Sequence, residues 1–210
     1  MYKIFGYYIC EKMKVPDWLG LDRETMLSVS DCFGGIHPEL ANCYFLNDRI
    51  REQTEYKKRW NLGSDRAAIL QRDIGNIFES RLAIDGRFVK LTDAEYFYRA
   101  YFDQDSCMIV SVSTTEEYYD ILTCELQIFS DIVDENELLG YDILGWDVSG
   151  FHTFLCNHLQ KDLIHARFNQ LCLLENTFRE VEGFAKGIQG KGEPVEWIPC
   201  RIGKCREVSI

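Results

Sequence analysis

The sequence predicts an α+β fold, with a mixed α/β arrangement as the neighbouring alternative. It reads as one compact domain of several short strands and about four to five helices. Three observations carry this. Short apolar, β-branched or aromatic runs recur along the chain, Cys107–Val112 being the cleanest. Apolar residues at helical spacing recur between them, as in Phe178, Val181, Phe184 and Ile188. The two patterns do not alternate regularly enough for a doubly wound sheet.

In order, Lys3–Ile9 is aromatic and β-branched with Gly6 inside it, an opening strand. Pro16 and Gly20 punctuate a turn, and Thr25–Val29 forms a second short strand. Gly34-Gly35 and His37-Pro38 mark a loop; Cys43–Leu46 fits either a strand or a helix start. Arg49–Trp60 is charged, with Arg49, Arg51, Lys57, Lys58 and Arg59 as a solvated face or as a dock for the chain's own acidic half. Ser64 caps a helix to about Ser80, in which Leu70, Ile74 and Ile77 share a face. Asp85-Gly86 turns the chain into Arg87–Leu91, a strand candidate. Thr92-Asp-Ala-Glu95 fits a capping box whose helix would turn Phe97, Ala100 and Tyr101 inward, and Thr114-Thr-Glu-Glu117 fits a second.

Leu126–Val133 and Leu163–Leu174 are ambiguous. Tyr141–Val148 is a strand interrupted by Gly145. Ser149 caps a helix over Gly150–Gln160 with the stripe Phe151, Phe154, Leu155 and Leu159. Glu175–Ile188 is a helix that the glycines at 187, 190 and 192 end. Val195–Ile202 is the last strand, and Pro199 places it at a sheet edge.

A chain of 210 residues with 46% hydrophobic content can bury a core without staples. The start Met1–Ile9, followed by charged Glu11–Lys14, does not read as an export signal, and no apolar run suits a membrane helix. Nine scattered cysteines then read as reduced thiols in a cytoplasmic protein, and no membrane association is expected.

The net charge of -11 is uneven. Residues 1–100 balance at 15 basic and 15 acidic side chains, whereas residues 101–210 hold 8 and 19, so a subdivision near residues 103–106 separates a neutral half from an acidic one. Between Arg99 and Lys161 there is no Lys or Arg, yet there are twelve acids, interleaved with Tyr118, Tyr119, Phe129, Tyr141, Trp146 and Phe151. Such a half repels phosphates, which argues against direct nucleic-acid binding, and attracts a basic protein. Aromatic anchors ringed by charge are the composition of a specific interface.

No motif calls for a cofactor. There is no phosphate loop, dinucleotide fingerprint or Gly-x-Ser-x-Gly elbow, and twelve acids single out no catalytic pair. His152 and Cys156 would share one helix face, with His158 pointing elsewhere. They are the alternative catalytic pair (Cys156 with His152 or His158), or part of a metal site that would need Cys172 or His165 as well. Cys200 and Cys205, near Arg201, Lys204 and Arg206, read as reduced thiols or a reversible disulfide.

Four segments, Leu139-Gly-Tyr-Asp-Ile143, Ser149-Gly-Phe-His-Thr-Phe-Leu-Cys-Asn157, Asn169-Gln-Leu-Cys-Leu-Leu174 and Trp197-Ile-Pro199, resemble a loosely defined group of small bacterial proteins. Some of that group are taken to be immunity proteins, which neutralise a toxin by binding it. The resemblance covers about a third of the chain, from Leu138 to Ile202, and places a glycine where this chain has Cys172. It implies no individual functional residues.

The reading that results is a non-enzymatic acidic binding protein, in concrete form an immunity-type inhibitor of a basic toxin or nuclease. The expected contact charges are Asp134, Glu135, Glu137, Asp142 and Asp147, with Tyr141 and Trp146 as anchors. A Cys/His-dependent hydrolase or transferase and a small metal-binding protein are the alternatives.

Overall fold

The computed structural model describes residues 1–30, 88, 90–101, 105, 107–125, 136–147 and 150–205. The expectations for residues 34–80, for Asp85-Gly86 and for Leu126–Val133 lie outside these, as do the side chains of Phe97, Ala100 and Tyr101.

A five-stranded antiparallel sheet organises the described residues. Its strands are β1 (Tyr2–Glu11), β4 (Cys107–Thr115), β5 (Glu137–Asp147), β6 (Gly150–Thr153) and β7 (Ile198–Lys204), in the spatial order β1-β4-β7-β5-β6. A two-stranded ribbon pairs β2 (Met13–Lys14) with β3 (Thr25–Met26). Three α-helices occur among the described residues, fewer than the four to five expected: α1 (Leu91–Tyr101), α2 (Glu116–Glu125) and α3 (Phe178–Ile188). The architecture is α+β, as the composition of patterns implied.

β1 is buried on both faces from Ile4 to Cys10, which its near-continuous apolar run allows. Its register against β4 slips between Ile4 and Gly6, leaving Phe5 as the extra residue of a bulge. α1 buries Ala94 and Tyr98, one turn apart, and packs on β1 and β4. The Tyr98 hydroxyl donates to the Cys107 carbonyl at 3.0 Å. α2 buries Tyr118 and Tyr119 and packs on the same two strands, while α3 packs on β7 and β5.

Both capping boxes read from the sequence are displaced. α1 begins at Leu91, so Thr92 lies inside its first turn, and Lys90 supplies the carbonyl that accepts from the Ala94 amide. Thr114 belongs to β4, and its hydroxyl donates across to the Pro199 carbonyl at 2.7 Å. The box that does form is Thr177 with Glu180 at the start of α3, whose buried face is Val181, Ala185 and Ile188.

Pro199 does not mark an edge: β7 lies between β4 and β5. Tyr141 exchanges both backbone hydrogen bonds with Leu174, at 2.8 and 2.7 Å, on the side away from β7. Alternation along the ladder then makes Asp142–Cys200 a bonded pair and Ile143–Pro199 an unbonded one. The imide nitrogen of Pro199 therefore faces β4, whose ladder with β7 has already ended at Ser113–Arg201. No ladder bond is forfeited.

The helix expected over Gly150–Gln160 is absent. Gly150–Thr153 pairs with β5 as β6, and two single 3₁₀ turns follow, Phe154–Asn157 and Leu159–Asp162. His158, with φ of 58°, is left-handed and separates them. The stripe Phe154, Leu155 and Leu159 is buried as expected, but by turns rather than by a helix.

Two core clusters result. Ile143 belongs to one, with Leu174, Val181, Ala185 and Trp197; Leu144 belongs to the other, with Val112, Ile198 and Ile202. Consecutive strand residues point to opposite faces, so β5 contributes to both. Gly145 is required where it stands, because a Cβ there would lie 2.2 Å from Val195 Cγ2. Cys172 has φ of 59°, the left-handed region that glycine favours. No helix among the described residues is long and apolar enough to cross a membrane.

Candidate functional site

The acids of α2 are presented by its own sequence. Glu116 and Glu117 sit in the first turn, where the exposed amide dipoles favour negative charge. With Tyr118 and Tyr119 turned into the core, Glu116, Glu117 and Asp120 are left exposed. Lys3 reaches Glu116 at 2.9 Å and lies 5.2 Å from the centre of the Tyr119 ring. That ion pair holds the Glu116 carboxyl below its ordinary range.

Tyr118 joins this helix to α3. Its hydroxyl donates to Glu182 Oε1 at 3.1 Å, and Glu182 also meets Lys186 at 3.4 Å, one turn along α3. Burial, the bond to Glu182 and the charges of Glu182, Glu117 and Glu196 push the Tyr118 hydroxyl up to about 12. The phenol thus ties α2 to a carboxylate of α3.

The contact set expected from the sequence is only partly gathered. Glu137 is exposed at the start of β5, opposite Lys204. Tyr141 is half-buried, its ring 5.8 Å from that of Phe178, and it hydrogen-bonds Tyr2, whose hydroxyl is pushed to about 12 mainly by burial. Asp142 is 4% exposed and is not a surface charge. Its Oδ1 accepts from the Thr153 hydroxyl at 2.7 Å and from the Ile143 amide at 2.8 Å. Desolvation outweighs both bonds and lifts this carboxyl to about 7. Strand alternation explains the placement, since Asp142 lies opposite buried Cys200. Asp134, Glu135 and the side chains of Trp146 and Asp147 lie outside the described residues.

His152 and Cys156 do not share the helix face expected for them, because β6 and a 3₁₀ turn replace the helix. His152 is buried on β6, its Nδ1 3.2 Å from Glu193 Oε2. The same oxygen accepts from Asn157 Nδ2 at 2.9 Å, and the Glu193 amide donates to Asn157 Oδ1 at 3.1 Å. Cys156 Sγ is 3.6 Å from Ser30 Oγ. His158 is exposed, its ring 4.8 Å from that of Trp18. Among the described residues no group of three or more His, Cys, Asp or Glu is placed to hold a metal ion. Cys200, within β7, and Cys205, just beyond it, are five residues apart along an extended chain, roughly 16 Å, which precludes a disulfide between them.

Sequence reasoning missed Glu182, Glu193 and Glu196. All three lie beyond Lys161, outside the Lys- and Arg-free window. Thr177-Phe-Arg-Glu180 was a legible capping box, but nothing local brings Glu182 to Tyr118, 64 residues away. Comparisons with protein-family models, with curated protein sequences and with solved structures find no match to this chain.

Proposed function

We propose that the chain is a non-enzymatic binding protein that docks through an acidic face onto a basic protein, in concrete form as an immunity-type inhibitor of a basic toxin or nuclease. The observation that carries this reading is the exposure of Glu117 and Asp120 on α2, which Tyr118 ties to Glu182 of α3, in a chain of net charge -11. A nuclease must attract phosphate, so an acidic surface competes with nucleic acid for its cleft. Such a surface also speeds capture by steering, most strongly at low salt. Asp142 has no part in the contact, since its carboxyl is spent inside the fold. Glu137 remains in the contact set, and the face of α2 and α3 takes the larger role.

The test is affinity capture from the source cell at low and raised salt, with wild type and with the double variant Glu117→Lys, Glu196→Lys. Both substituted side chains are exposed, so the fold is retained. One basic protein held by wild type at raised salt, and released by the variant, is the expected result. Capture of only a salt-labile mixture, or equal retention by the variant, overturns the reading.

A further inference from the structure

The end of β1, α1, the start of β4 and the end of β7 enclose a pocket of about 130 Å³. Its charged lining comes from Lys12, Arg99 and Lys204 on one side of the balance and from Glu95 and Asp105 on the other. Cys107, Met108 and Ile109 supply an apolar floor. Basic groups outnumber acidic ones here, three to two, although the chain as a whole is acidic. Lys12 and Lys204 are exposed and enter no ion pair among the described residues. Glu95 Oε1 is buried and has no hydrogen-bond partner. The side chain as a whole is half-buried, so its carboxylate still presents negative charge to the pocket it lines.

A simple anion would meet Lys12 and Lys204 but also Glu95, and a simple cation would meet the reverse. A short molecule carrying both an ammonium and a carboxylate satisfies both sets. An ammonium offers three donors and no acceptor, which suits Glu95, and a carboxylate suits exposed lysines. The volume bounds the enclosed part, since an engineered apolar cavity of about 150 Å³ holds the six heavy atoms of benzene; a ligand of seven or eight heavy atoms leaves part of itself at the mouth. We infer that this pocket binds a small zwitterion of amino-acid type, with its ammonium toward Glu95, its carboxylate toward Lys12 and Lys204, and a short alkyl portion on Met108 and Ile109. A residue within a peptide carries neither backbone charge and a terminal one only one, so the ligand is the free molecule.

The test is calorimetric or ligand-observed NMR titration of the full chain. The probes are L-valine and 4-aminobutyrate, which differ in charge separation, with isovalerate and isobutylamine as the two half-molecules. At least one zwitterion is expected to bind, and each half-molecule to bind at least about tenfold more weakly. Glu95→Gln and Lys204→Met should each weaken that binding about tenfold with an unchanged urea midpoint. Neither variant threatens the fold: the first neutralises an unpaired buried oxygen and the second changes an exposed strand end. Lys12→Met, also exposed, repeats the test of the carboxylate contact from a second strand end. Isovalerate binding as tightly as L-valine would reduce the pocket to an anion site and overturn the inference. So would no binding of either zwitterion at about 10 mM, or binding unchanged in all three variants.

Discussion

Asp142→Asn should flatten the pH dependence of stability between pH 5 and 8. In the folded chain burial lifts this carboxyl from an ordinary 3.8 to about 7, against the two hydrogen bonds to Oδ1. The folded state thus keeps a proton that the unfolded state releases. Its contribution is complete below about pH 4 and is lost as pH rises through about 7. About three pKa units at 1.36 kcal/mol each set the full loss at about 4 kcal/mol, of which about 3 kcal/mol falls between pH 5 and 8. Asparagine keeps an Oδ1 for Thr153 and Ile143 but does not titrate. Any fixed cost of its amide shifts the whole profile without tilting it. The assay is urea unfolding of both proteins at each pH, read as the difference between them. That difference removes the other titrating groups, including Glu180, whose carboxyl is held down by Thr177 and which acts in the opposite sense at lower pH. Cys200, facing Asp142, has its thiol pushed well up by burial and by the neighbouring charge, so it stays protonated throughout. A difference that is constant from pH 5 to pH 8 would refute a buried carboxyl at this position.

Thr177→Ala removes a cap in which the hydroxyl donates to Glu180 Oε2 at 2.9 Å and accepts from the Glu180 amide at 3.4 Å; urea denaturation should show a loss of about 1 kcal/mol. Gly145→Ala forces a methyl group into Val195 and should cost about 1–3 kcal/mol by the same measurement, with Val195→Ala in the same chain restoring part of it. Iodoacetamide at pH 8, followed by peptide mass mapping, should label half-buried Cys156 before Cys10, Cys172 and Cys200, whose thiols burial pushes up. Labelling of Cys156 at the rate of a thiolate already at pH 6 would instead favour the Cys/His enzyme.

How much was legible differs from element to element. β1 and β4 were evident as short runs rich in apolar, aromatic and β-branched residues, because strands buried on both faces need no strict alternation. α3 was evident from Phe178, Val181, Phe184 and Ile188, since a helix puts those spacings on one face, and Val181 and Ile188 are buried with Ala185. The segment from Gly150 was misread because Phe154, Leu155 and Leu159 fit a helical stripe and a pair of tight turns equally well. What decided it was the edge of β5, which offered Gly150–Thr153 a strand partner. The acidic window was legible as charge but not as a surface. Asp142 was spent within the sheet, while Glu182, from outside the window, meets Tyr118 of α2.

The sequence by itself determined what depends on neighbours in the chain: that the runs of β1, β4, β5 and β7 are strands, where α3 lies, how the charge divides between the halves. Only the tertiary structure decided that β7 sits at the centre of the sheet with Pro199 turned to a finished ladder, that Asp142 is buried, and that His152 meets Glu193 rather than Cys156's helix face. These are pairings between residues 40 to 90 positions apart, as in Asp142 with Cys200 and Ser113 with Arg201. Local propensity carries no information about such partners. Strand order and register are chosen by the burial and hydrogen bonding of the whole sheet at once.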